Sequence, residues 1–376
     1  MAKVNVLKEI AGVFLKLGLF AFGGPAAHIA MMEEEIVSRR GWMSRQHFLD
    51  LIGATNLIPG PNSTEMTMHC GYERGGRLGL FIAGICFIFP AVCITLLLAW
   101  IYVEYGSLPE IQPMISGILP AVLVIIAAAI LKLGKKAFKN LELIVVGIVV
   151  LVASLFGVNE IIALLAGGLL GGLYFYFKSS DNHLAGVAPI LPIFLSSTIV
   201  AKLSTAKIFW TFLKVGSILY GSGYVLFAYL DAELVSNGWL SRPDLMEAIG
   251  IGQFTPGPVL STATFIGYQL GGFWGALAAT AGIFLPSFIF VWILNPLIPK
   301  MQRSRLLRAF LDSVNVAAVA VMIAVLILMT RETLVDIQSM VIVAICGILF
   351  FGFKRVNSVM VILTGLILGY LFYLFQ

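Results

Sequence analysis

Residues 14–23 read FLKLGLFAFG, and residues 212–221 read FLKVGSILYG. At this spacing of about 198, Lys16 meets Lys214, Gly18 meets Gly216, and Gly23 meets Gly221. The correspondence continues downstream. Glu33 and Glu35 fall opposite Asp231 and Glu233, and, with a small slip, Trp42 and Ser44 fall opposite Trp239 and Ser241. Pro59-Gly60-Pro61 then matches Pro256-Gly257-Pro258, and Gly71-Tyr72 matches Gly267-Tyr268. Gly75-Gly76 pairs with Gly271-Gly272, and Pro90 with Pro286. Matches so ordered are an internal repeat, and a repeat decides architecture before any single element does. It divides the chain into a first repeat, 1–178, a linker, 179–205, and a second repeat, 206–376.

The 376 residues are 60% hydrophobic and 11% charged, with a mean hydropathy of +0.99. A soluble domain carries about a quarter charged residues. This much apolar surface does not fit inside one water-soluble core, so lipid is the natural solvent and partner. Each repeat opens with a glycine-broken apolar run, at 9–30 and 207–230, and passes through a polar stretch into Pro-Gly-Pro. Apolar helices are expected at 79–103, 114–132, 141–156 and 160–177, with counterparts at 273–295, 310–330, 337–352 and 357–375. Several approach the ~20 residues that span a hydrocarbon core. The expected fold is an all-α integral membrane protein, two inverted-topology repeats with broken helices forming one bundle.

The net charge of +5 comes from short Lys/Arg clusters between apolar runs, the pattern that sets topology, and calls for no nucleic acid. Cys70, Cys86, Cys93 and Cys346 lack metal or redox spacing, and Cys86 and Cys93 are expected on one packed helix face. The first apolar run is interrupted by Lys16 and recurs deep inside the chain, which argues against a cleaved signal peptide. No metal or cofactor is expected.

Loop charge orients the halves, because Lys and Arg favour the cytoplasmic side. The loop near 104–110 holds only Glu104 and Glu110, and the next holds Lys132, Lys135, Lys136 and Lys139. In the second half the order reverses: Lys300, Arg303, Arg305 and Arg308 come first, then Arg331, Glu332 and Asp336. Equivalent loops carry opposite bias, so the repeats are expected to be inverted. Inversion requires an odd number of crossings between equivalent points. Either the apolar stretch Leu184–Leu203 supplies one, or a Pro-Gly-Pro or glycine-broken segment is re-entrant.

Inverted repeats with matching broken helices point to a binding site at the repeat interface. The breaks are Gly23-Gly24-Pro25 with Gly221-Ser222-Gly223, and the two Pro-Gly-Pro segments. Asn62, Ser63 and Thr64 follow the first Pro-Gly-Pro; Thr255 precedes the second, and Ser261 and Thr262 follow it. A helix beginning there presents free N–H groups and the positive end of its dipole, an anion site that hydroxyls extend. Lys16 and Lys214, each inside an apolar run, are candidates for attracting the anion, or else snorkel to the interface. His28, Glu33, Glu65 and His69 are candidate proton carriers, although Glu33 also reads as part of a solvated loop end. His47 and His183 read as surface residues. Gly75-Gly76 and Gly271-Gly272 lack the strand-turn-helix context of a phosphate loop, and no catalytic triad is present, so no enzyme activity is expected.

The stretch FGGPAAHIAMMEEEIVSRRGWMS, followed by LIPGPNSTEM, GYERGGRLG and IFPA, resembles the amino-terminal signature of the chromate ion transporter (CHR) family. GSGYVLFAYLDAELVSNGWLS, followed by QFTPGPVLSTATFIGYQLGG and FLPS, resembles its second copy. The resemblance covers both halves, as in the family's two-domain form. It implies a secondary transporter of chromate, an exporter conferring resistance, with sulfate as the related oxyanion, and a bacterial-type inner membrane. Carried over by position, it marks Gly23, Gly24, Pro25, His28, Pro59, Gly60, Pro61, Pro256, Gly257 and Pro258. One departure is visible: Gln253 keeps the family's amide before Pro-Gly-Pro, whereas Asn56 takes that place in the first half. Alternating access is expected, with exchange for sulfate or coupling to protons; a passive anion channel, or a transporter selective for sulfate or another oxyanion, is the alternative. The many small residues suit a homodimer.

Overall fold

Helix α1 (Ala2–Phe20) stops at the first glycine break, and α2 (Pro25–Met32) restarts with proline in its first turn. This computed structural model describes residues 2–22, 24–178, 204–220, 223–297, 301, 304–353 and 356–375. Helix α2 runs directly into a π-helical turn, Glu33–Arg39. After α3 (Arg45–Thr55), capped by the Ser44 hydroxyl, come Pro-Gly-Pro and the long α4 (Asn62–Tyr105). The first repeat closes with α5 (Gln112–Ser116), α6 (Ile118–Ala137), α7 (Leu141–Leu155) and α8 (Glu160–Lys178).

The second repeat reproduces the series. It comprises α9 (Thr205–Ile218), α10 (Leu226–Leu230), a π-helical turn at Asp231–Val235 and α11 (Arg242–Gln253), capped by Ser241. Then follow α12 (Thr262–Leu294), α13 (Arg305–Thr333), α14 (Ile337–Gly352) and α15 (Ser358–Leu374). Strands are absent among the described residues.

Helices α4 and α12 begin at Asn62 and Thr262, well before the apolar runs that announce them, and each bends at a glycine of positive φ, Gly76 (φ 63) and Gly272 (φ 61). Their polar first turns are buried by tertiary packing, which overrides a reading based on apolarity alone. The glycine-broken run is likewise two helices per repeat rather than one. Among the described residues, five helical stretches are long and apolar enough to cross a membrane: Asn62–Tyr105, Gln112–Ala137, Glu160–Lys178, Val259–Leu294 and Arg305–Thr333. Along α4, Leu78, Phe81, Ile85 and Phe89 form an exposed apolar stripe at helical spacing, a face suited to lipid. Cys93 lies exposed on this helix and Cys86 is half-buried, so the two do not share a packed face; Cys70 and Cys346 are the buried thiols.

Equivalent helices pass one another in opposite directions. Phe81 stacks on Phe288 at 5.7 Å, whereas Tyr102 at the other end of α4 meets Phe265 at 5.2 Å. Lys139, just beyond α6, pairs at 2.6 Å with Asp312 near the start of α13. The repeats also exchange elements: α8 packs along α13, and α15 packs on α5 and α6. Residues 179–203, which include the apolar stretch that could supply an extra crossing, lie outside the described residues.

Candidate functional site

Both Pro-Gly-Pro segments are buried, and each is tied to the break in the opposite repeat. The Gly60 N–H donates to the Leu219 carbonyl (2.6 Å), and the Gly257 N–H donates to the Ala21 carbonyl (2.9 Å). Leu219 and Ala21 are repeat equivalents, as are Gly60 and Gly257. Glycine is required here: φ is 143° at Gly60 and 87° at Gly257, conformations that strain other residues. A Cβ on Gly60 would collide with the Glu65 carboxylate and come within 2.6 Å of the Ser287 hydroxyl.

His28 links the two loops. Its Nε2 lies 3.1 Å from the Ala21 carbonyl, the acceptor that also serves Gly257, and its Nδ1 lies 3.2 Å from Ser63 Oγ. A carbonyl only accepts, so Nε2 carries the proton and Nδ1 accepts from the Ser63 hydroxyl. The second Pro-Gly-Pro is therefore joined through Ala21 and His28 to the first turn of α4. There the Asn62 and Ser63 amides have no acceptor within their own helix. The fully buried Thr64 adds a hydroxyl with no partner among the described residues.

On the second-repeat side, Ser261 Oγ lies 3.3 Å from Thr255 Oγ1, and both side chains are buried. Thr262 is buried with its hydroxyl donated to the Val259 carbonyl. The Gln253 amide nitrogen is buried without a partner. Its counterpart Asn56 is exposed and bonded to Asn62 and to the Ile52 carbonyl, so the shorter amide faces away from the interior. Gly24 (φ 77) faces the Tyr224 hydroxyl, and Pro25 opens α2. Gly223 is buried; Gly23, Gly221 and Ser222 lie outside the described residues, as does His183.

The charged candidates separate into two groups. Lys214 is ion-paired with Glu233 at 2.6 Å, and Lys16 is exposed, with its charge acting on Glu35. The Arg40 guanidinium first, with Lys16 and Arg39 behind it, holds the Glu35 carboxyl below the usual carboxylate range. Both lysines thus serve the π-helical turns and leave the Pro-Gly-Pro loops without them. Glu33 pairs with Arg45 at 2.9 Å on an exposed flank, matched by Asp231 with Arg242 at 2.8 Å, so it too stays outside the site. His47 is a surface residue 3.3 Å from Glu73. Glu65 and His69, in contrast, are buried one turn apart on α4.

Ser287 and Asn295 were not foreseen. A signal for the first was present: the residue after the repeated proline is Ala91 in one copy and Ser287 in the other. Asn295 and Tyr220 carry no motif; the packing of α12 against α4 brings in the first, and the Gly60–Leu219 hydrogen bond just past α9 brings in the second.

A helical membrane bundle with buried helix ends meeting at a repeat interface has the architecture of a transporter. The chain belongs to the chromate transporter family, whose model matches residues 8–172 and again 206–370. It is 29% identical over 384 residues to the chromate transport protein of Cupriavidus metallidurans, covering 99% of this chain and 94% of that one. It is 30% identical over 376 residues to the chromate transport protein of Pseudomonas aeruginosa, covering 95% and 90%. The uncharacterized transporter YwrA of Bacillus subtilis is 28% identical over 164 residues, 43% of this chain but 92% of its own. No solved structure matches the chain. The protein is therefore an ion transporter and an integral membrane protein.

Proposed function

We propose that the chain carries a tetrahedral oxyanion, chromate in the first place and sulfate as its near-isostere, by alternating access between two inverted repeats. The observation that carries this reading is the crossed pair of hydrogen bonds, Gly60 to Leu219 and Gly257 to Ala21, which ties both Pro-Gly-Pro loops into one buried junction. The ligands are the Asn62 and Ser63 amides, the Thr64 hydroxyl, and Ser261, Thr255 and Gln253 from the other repeat. Amides at a helix start suit an anion without a fixed cation. Two repeats contributing equivalent loops to one junction can rock about it and expose it to either side in turn.

Chromate counterflow in proteoliposomes tests the proposal. External chromate should accelerate efflux of loaded chromate, with saturation; unsaturable flux would indicate a channel, and no oxyanion flux under any gradient would defeat the reading. Thr64→Ala and Ser261→Ala should each weaken chromate binding about ten- to a hundredfold, since a hydrogen bond to a charged group contributes about 1.5–3 kcal/mol.

A further inference from the structure

Glu65 is the anomaly of an anion site. Its side chain is fully buried, and neither carboxylate oxygen has a hydrogen-bond partner among the described residues. It lies in the first turn of α4, directly after Asn62, Ser63 and Thr64, and abuts Gly60 of the Pro-Gly-Pro loop. Ser287 Oγ borders the same loop, also buried and unpartnered. Among the described residues, no lysine or arginine bonds to Glu65. An ionised carboxylate here would confront an entering dianion with a like charge and no counter-ion.

We infer that Glu65 must carry a proton for the oxyanion to bind, so that proton and oxyanion occupy the site together and travel in the same direction. This rests on the reading of the Pro-Gly-Pro junction as the oxyanion site. As a neutral acid, Glu65 offers an O–H donor to the anion; as a carboxylate, it excludes the anion.

His69 supplies the route. It stands one turn further along α4, on the same face as Glu65. Its Nδ1 lies 3.0 Å from Asn295 Oδ1, so Nδ1 donates and Nε2 is left a bare acceptor, buried and unpartnered. Asn295, half-buried, stands at the end of α12 just before the basic segment that includes Arg305. A proton can pass from that end of the molecule through His69 to Glu65. Among the described residues, the other titratable groups at this junction are His28, which reaches α4 through Ser63, and Tyr220, next in the chain to the Leu219 carbonyl that accepts from Gly60. Helix α12 contributes only the neutral Ser287 and Asn295.

The repeat itself isolates this function. The positions equivalent to His28, Glu65 and His69 are Leu226, Thr262 and Ile266. One copy titrates and the other does not, although both contribute a Pro-Gly-Pro helix start. The asymmetry gives the transporter a single proton site per oxyanion site.

The test is chromate binding to the purified full-length protein from neutral to alkaline pH, with proton uptake followed in weak buffer. Glu65→Gln keeps the shape and a donor but cannot ionise, and it also reports chromate's own titration. The wild-type Kd should rise about tenfold per pH unit more steeply than that of Glu65→Gln once Glu65 ionises, and the wild type should take up about one more proton per chromate bound. Equal slopes and equal proton counts would overturn the inference, as would loss of binding in a Glu65→Gln protein that melts like the wild type. Should that variant not fold, Glu65→Thr, which installs the second copy's residue, is read the same way. His69→Gln should leave the Kd and proton count unchanged while slowing proton-driven chromate uptake about tenfold; an unchanged rate would remove His69 from the route. A wild type that binds no oxyanion at any pH would instead overturn the underlying reading of the site.

Discussion

At Gly257 three demands converge: a φ of 87°, an N–H committed to Ala21, and a neighbouring Ala91 methyl 3.0 Å from where a Cβ would lie. Gly257→Ala should destabilise the protein by about 1–3 kcal/mol, the cost of a non-glycine residue in that region. Gly347→Ala provides the contrast, because Gly347 sits inside α14 with open space at its Cβ position. There the substitution should be neutral or stabilising by about 0.5–1 kcal/mol. Thermal melting in detergent compares the two. Lys214 poses a different question, since the sequence offers it as an anion ligand and the structure pairs it with Glu233. Lys214→Ala should cost about 1–3 kcal/mol by stranding a largely buried carboxylate. Glu233→Gln should recover most of that loss, which a lysine acting only on the anion would not allow. The sequence makes Pro59 to Pro61 and Pro256 to Pro258 conspicuous, because proline and glycine signal broken helices through their own stereochemistry. It cannot show that Lys16 and Lys214 answer to Glu35 and Glu233, since that depends on π-helical turns no local pattern announces.

Among elements, the apolar runs mark the middles of helices well and their starts poorly. Helices α7 and α14 fall close to where hydropathy places them, because their ends coincide with caps at Asn140 and Asp336. Helices α4 and α12 extend upstream through polar turns, because Thr64, Glu65 and His69 are buried by neighbours distant in sequence. Antiparallel packing of equivalent helices was legible only through loop charge, and it now has a geometric expression in Lys139 and Asp312. Cysteines at these two positions should form a crosslink with a short bifunctional reagent, detected as a mobility shift after cleavage within the 179–203 segment. Cysteines at Lys139 and Asp336, which lies past the far end of α13, should not crosslink. Parallel repeats would give no crosslink between 139 and 312.

On the scale of the whole chain, the repeats are interwound rather than set side by side. Helix α8 finishes its packing on α13, with Gly168 against Val314 and Gly172 against Phe310, and α15 finishes on the other repeat, with Gly365 against Gly117. The Pro-Gly-Pro loops complete the exchange, each anchored to the opposite half. A single repeat would therefore expose the partner-facing sides of α4, α6 and α8 and leave the Gly60 or Gly257 amide without its acceptor. In lipid, apolar faces tolerate separation, but an unsatisfied buried amide costs several kcal/mol. The match to YwrA shows that a chain of about one repeat's length exists among the relatives of this one. Residues 1–178 and 206–376, expressed as two chains in one cell, should accordingly co-purify as a pair and catalyse chromate counterflow. Either chain alone should aggregate, or pair with a second copy of itself without transport, because only the first repeat carries Glu65 and His69 and only the second carries Gln253 and Ser287. Transport by the first repeat alone would show that the site does not need its second-repeat side.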